Sequence, residues 1–279
     1  MSPVVRRALR QARTRSGLAL AVVLGAVALF APALTPYDPV EHLDPRDGAL
    51  LGPSVAHPFG TDDFSRDMFS RIVFGARVSL TIAVVSVLIA ISAGTAVGSI
   101  AGLAGGAVDA VLMRVVDALL AVPRIFLVLL VVALWDRVEV VTLILILGLT
   151  SWFATSRVVR AEVLSVRERE YIGAARALGL GRMRLFFRHV LPNIAAPIVV
   201  SATLGVGHMI LVEAGLSYLG VGVRPPTPSW GNIIRQGQEW ILPGAWWISL
   251  FPGIAIVITV VAFSLIGDGL RDALDPRAR

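Results

Sequence analysis

Apolar residues in this chain collect into long runs separated by polar breaks, and run length carries the first signal. A helix of about 20 mostly apolar residues crosses a bilayer. Six runs approach that length: Leu18–Leu34, Val78–Gly102, Val108–Trp135, Val138–Phe153, Ile194–Val212 and Trp246–Ile266. Each is predicted to be a transmembrane helix. Gly94, Ala96 and Gly98 in the second run offer a close helix contact. Between the runs, 35–77 is rich in Pro, Asp and Arg, with a short amphipathic helix expected near Asp67–Phe74. Gly105-Gly106 makes a turn, Ser156–Leu191 is hydrophilic, and 215–245 is a Gly-, Pro- and Trp-rich loop. The fold class is therefore an all-α integral membrane protein. Its expected divisions are a basic N-terminus (1–17), a first span (18–34), an outer segment (35–77), a five-helix core (78–267) and a short tail (268–279).

Composition agrees. The chain is 56% hydrophobic and 16% charged, against about a quarter charged in ordinary soluble domains. Mean hydropathy is +0.79. Cysteine is absent, which excludes disulfides and thiolate metal sites. Lysine is absent too, so all 25 basic residues are Arg. A phosphate-binding P-loop needs a lysine to reach the β- and γ-phosphates. Any ATP-driven work must come from another polypeptide.

The net charge of +6 is distributed unevenly. Arg6, Arg7, Arg10, Arg13 and Arg15 precede the first run. Ser156–Leu191 carries eight more: Arg157, Arg160, Arg167, Arg169, Arg176, Arg182, Arg184 and Arg188. Arg271, Arg277 and Arg279 lie beyond the last run, whereas Asp38, Glu41, Asp44, Asp47, Asp62, Asp63 and Asp67 occupy the segment after the first. Arg-rich short loops stay in the cytoplasm, so both termini and 156–191 are expected inside and 35–77 outside. The basic excess reads as topology and disfavours nucleic-acid binding. Ala31-Pro32-Ala33 also imitates a leader cleavage site, although the apolar core before it is longer than a leader's.

Chemistry-bearing constellations are missing. The four His (His42, His57, His189, His208) form no HExxH pair, and no Gly-x-Ser-x-Gly occurs. Asp62, Asp63 and Asp67 lack calcium-loop spacing, and no metal site is expected. Trp240, Trp246 and Trp247 read as an interfacial aromatic belt or as a docking surface.

The hydrophilic segment is the most specific. Glu168–Leu178 reads as a short helix with Tyr171, Ala175 and Leu178 as its apolar stripe, stopped by Gly179. Gly173-Ala174-Ala175, three residues, Gly179, nine residues, then His189-Val190-Leu191-Pro192 resembles the EAA signature of ABC importer permeases. Gly173 stands where that signature has Glu, and His189 where it has Ile. Four further pieces resemble the C-type permease of the peptide and nickel branch: His57–Asp63 with Arg66-Asp67; Arg114, Asp117 and Pro123; Glu213–Gly220 with Ser229-Trp230-Gly231; and Gly267–Pro276.

The resemblance implies a type I importer permease fold. It also implies that Tyr171, Gly173, Ala174, Ala175, Arg176, Leu178, Gly179, Arg182 and Pro192 form or flank a helix that couples to an ATPase. The implied partners are a homologous second permease, two ATP-binding subunits, an extracytoplasmic solute-binding protein and membrane lipid. ATP and Mg²⁺ would sit on partner subunits, with no cofactor and no catalytic residue on this chain. The implied cargo is di- or oligopeptides, with nickel or another small solute as the alternative, and a secondary transporter is the alternative of another class.

Ionisable groups within spans are costly and face a bundle interior or a cavity. Arg114 and Asp117 share a helix face, as an internal ion pair or a gate. Arg124 either lines a translocation path or marks a helix that starts later. His208 is either a packed histidine or a path residue. Glu213 either meets a substrate amine or holds the loop that follows it.

Overall fold

The computed structural model describes residues 7–9, 11–43, 48–134 and 139–274, with the backbone alone for Arg176 and Arg182. Arg6, Arg10, Asp44, Asp47, Trp135, Val138, Asp275, Pro276, Arg277 and Arg279 lie outside the described residues.

Helix α1 (Ala12–Leu29) is followed by a single turn, α2 (Ala31–Leu34). Helix α3 (Met68–Ala104) is the central column. The short helix and separate span expected before and after residue 78 are one unbroken 37-residue helix. Nothing between Phe74 and Val78 breaks it, and its start is set by Asp67, whose carboxylate accepts from Ser70 N at 2.7 Å.

The third expected span is two helices, α4 (Gly106–Ala121) and α5 (Arg124–Ala133), bent by 85°. Pro123 explains the break. It cannot donate to the helical ladder, and it holds Val122 extended at φ −87°, ψ 124°. The fourth span begins as α6 (Val140–Leu149) and continues after a Thr150-Ser151 offset as α7 (Trp152–Arg167), deep into the segment expected to be loop.

Then come α8 (Glu170–Ala177), α9 (Arg182–Leu185), a π turn (Phe186–Val190) and α10 (Leu191–Tyr218). The π turn lets Leu191 N reach Phe186 O, where Pro192 has no N–H to continue a regular ladder. The loop between α10 and the last helix contains α11 (Trp230–Gly237), started by a reciprocal Ser229–Asn232 capping box. Helix α12 (Trp247–Leu274) ends the described chain and runs through 268–274, the first part of the expected tail.

Small residues set the packing, as expected where lipid supplies no apolar driving force between helices. A Cβ on Gly98 would lie 2.4 Å from Ser156 O, and one on Gly94 2.6 Å from Thr155 Cβ, so α3 and α7 touch backbone to backbone. Gly17 on α1 meets Ala262 on α12 in the same way. A main core is built from α3, α6, α10, α11 and α12. A second, smaller core joins Val159, Val163 and Val166 of α7 to Ile172 and Ala175 of α8, Leu185, Val190 and Ile194. Among the described residues there is no strand, only a Thr61–Asp67 bridge.

Candidate functional site

Three regions gather the polar groups. The first is the segment 35–77 with the start of α3. Asp62 is buried and binds Arg66 at 2.7 Å and Arg71 at 3.3 Å. Arg71 also donates to Gln236 Oε1 at 2.8 Å, tying the segment to α11. Asp67 caps α3 and lies 3.0 Å from His57 Nδ1. The carboxylates of Asp62 and Asp67 are thus engaged separately rather than converging on one point. Burial pushes the Asp63 carboxyl above its ordinary range, and neighbouring Asp62 adds to the rise. Trp247 is not part of an aromatic belt. It is buried, and its indole N–H donates to Thr61 O at 3.0 Å. Trp246 beside it is exposed.

The second region is the loop helix α8. Ile172 and Ala175 point into the small core, while Tyr171 and Leu178 are 41% and 82% exposed. The apolar stripe expected at Tyr171, Ala175 and Leu178 is therefore split: Ala175 seats the helix, and the other two face outward. At 3.6 residues per turn, residues 171, 172, 175 and 178 fall within one arc of about 120°, and Ile172, which the expected stripe omitted, marks with Ala175 the side of that arc that turns inward. Gly179 adopts φ +80° and allows Leu180 N to reach Ala175 O at 3.2 Å. Nothing lies within 4 Å of a Cβ built on Gly173 or Gly179, so the backbone there stands open to a partner. The side chains of Arg176 and Arg182 lie outside the described residues.

The third region is a cavity of about 450 Å³ at the α4–α5 bend. Arg124, His208, Met209, Pro123, Thr150 and Phe153 are on its wall. A helix starts at Arg124, as one of its two readings had it, and its side chain also lines this cavity. Its Nη2 donates to Met209 Sδ at 3.4 Å, and its buried Nε has no partner among the described residues.

The other expected path residues lie elsewhere. Arg114 and Asp117 are exposed and do not pair with each other; Asp117 is 3.7 Å from Arg157 across to α7. Residues three positions apart on α4 share a face, but Asp117 reaches across to α7 instead. A second inter-helix pair, Asp109 Oδ2 with Arg160 Nη2 at 2.6 Å, escaped the sequence reading because 51 positions separate its members. Glu213 is fully buried and accepts from Ser79 Oγ at 3.2 Å and Ser217 Oγ at 2.7 Å. It holds the following loop.

A family described as binding-protein-dependent transport system inner membrane component matches residues 94–279, two thirds of the chain. The chain belongs to this family. The permease is 43% identical to the dipeptide transport system permease protein DppC of Alkalihalophilus pseudofirmus, over 91% of this chain and 82% of that one. It is 40% identical to the di/tripeptide transport system permease protein DppC of Pseudomonas aeruginosa, over 94% and 88%. Among solved structures it resembles an inward-facing MetNI methionine ABC transporter with a TM-score of 0.60 at 22% identity, covering 75% of this chain and 98% of that one. That likeness is one of fold. The permease is a multi-pass membrane protein, with five long apolar helices and the bent α4–α5 pair among the described residues. As a component of a binding-protein-dependent system, it works in a complex with other subunits.

Proposed function

We propose that the permease carries di- or oligopeptides across the cytoplasmic membrane, paired with a homologous permease, driven by two separate ATPases and supplied by an external binding protein. The observation that carries the reading is α8, a short helix anchored inward by Ile172 and Ala175 and offering Tyr171, Leu178 and the bare backbone at Gly173 outward. An ATPase that grips this surface moves the small core, and with it α7 and the start of α10. The missing lysine supports an ATP and Mg²⁺ site on partner subunits, and no residue of this chain is catalytic in the proposed cycle. The Arg distribution supports cytoplasmic termini. The printed names of the relatives support peptides as cargo.

The test is Leu178→Glu beside Ala175→Arg. Leu178→Glu is expected to abolish co-purification of the ATPases while leaving the melting temperature of the isolated permease unchanged. Ala175→Arg is expected to lower that temperature as well, because Ala175 is buried within the chain itself. Normal ATPase association in the Leu178→Glu variant would remove the coupling role of α8. ATP-dependent uptake of labelled dialanine and of Ni²⁺ by the reconstituted complex separates the two cargo classes.

A further inference from the structure

We propose that Arg124 is the carboxylate-recognising group of the translocation cavity and that its charge admits the C-terminal end of a peptide while rejecting free metal cations. The inference rests on the peptide-importer reading and adds the chemistry by which the cavity selects.

The argument starts from an uncompensated charge. An arginine inside a membrane bundle is costly unless a counter-charge or water meets it. Arg66, Arg71 and Arg160 each have a carboxylate within 4 Å. Arg124 has none among the described residues. Among the described residues its one hydrogen-bond acceptor is the thioether of Met209, a weak partner, and its buried Nε has nothing to donate to. Among the described residues, no Asp or Glu lines the cavity. Glu213 on the same α10 is fully buried and engaged by Ser79 and Ser217.

The guanidinium is a planar fork suited to two parallel bonds with a carboxylate. The cavity leaves room for that ligand, and His208 on the same wall supplies a second polar group. Geometry fixes the fork in place: Pro123 creates the bend, and Arg124 is the first residue beyond it. The start of α5 carries no side-chain cap, so its N-terminal dipole adds to the attraction for an anion. A divalent cation meets the opposite field, with one imidazole and no carboxylate among the lining residues to hold it.

The full complex, with its partner permease, ATPases and binding protein, is reconstituted in proteoliposomes, and ATP-dependent uptake of labelled dialanine is measured. Arg124→Met keeps the length of the side chain and removes the charge; its maximal uptake is expected to fall at least about tenfold. Arg124→Lys keeps the charge and is expected to retain uptake within about threefold of the wild type. Assembly is followed by size-exclusion chromatography. Wild-type dialanine uptake that Arg124→Met leaves unchanged would overturn this inference and spare the peptide reading. A wild-type complex that takes up no dialanine would overturn both. Equal losses in the Met and Lys variants, or failure of either to assemble, would assign the guanidinium to structure or to the subunit interface and also overturn the proposal.

Discussion

Glu213 ties α10 to two other elements through hydroxyls. Ser79 Oγ donates to it from α3 and accepts Trp230 N at 3.2 Å, while Ser217 Oγ donates to it and accepts Val223 N at 3.1 Å. Removing the carboxylate leaves buried donors without an acceptor, at a cost of about 1–3 kcal/mol. Glu213→Ala is therefore expected to lower the melting temperature of the purified permease. Glu213→Gln, which keeps one acceptor, is expected to lower it less and to leave dialanine uptake at the wild-type rate. Reduced uptake at unchanged stability in the Gln variant would return Glu213 to the path. The sequence offered both roles for this residue, because its place near the end of an apolar run suits either. Ser79, which decides between them, is 134 positions away. Arg124 was legible as an anomaly, a charge after a proline inside an apolar run; its lack of a counter-charge emerged only once α10 and the α6–α7 offset were seen to surround it.

At the level of helices, the apolar runs named each span, and Gly94 and Gly98 announced a close contact that the α3–α7 seam realises. Gly98→Val is expected to abolish folded, monodisperse permease in detergent, because its side chain collides with the backbone oxygen of Ser156. Gly173→Ala meets open space on a helix and is expected to keep the melting temperature or raise it slightly. Parallel fluorescence-detected chromatography of the two variants checks both outcomes; a well-folded Gly98→Val protein would mean that the seam is looser than drawn. What the runs could not convey was where a helix breaks or carries on. Pro123 bends a span by 85°, whereas Pro197 and Pro252 sit within α10 and α12, which continue past them. The difference lies in the local surroundings of each proline, which hydropathy does not encode. Likewise α3, α7 and α12 extend past their apolar runs because polar residues can continue a helix beyond lipid.

For the whole molecule, the absence of cysteine provides a clean background for topology. Val55 and Leu178 are both highly exposed, one in the segment expected outside and one on the loop proposed to couple. With Val55→Cys, a membrane-impermeant maleimide is expected to label intact spheroplasts. With Leu178→Cys, labelling is expected only after permeabilisation, and the reverse pattern would invert the proposed orientation. Beyond orientation, the length of α3 has a mechanical consequence. At about 1.5 Å per residue, its 37 residues span roughly 55 Å without a hinge. One end is sutured by glycine to the helix that bears the loop, and the other is bolted through Arg71 to Asp62 and Gln236. Such a strut has little give along its axis. In the proposed cycle, a stroke delivered by the motor at one end would reach the mouth at the other in the same movement, so the cell's fuel and its catch would act on opposite ends of a single rod.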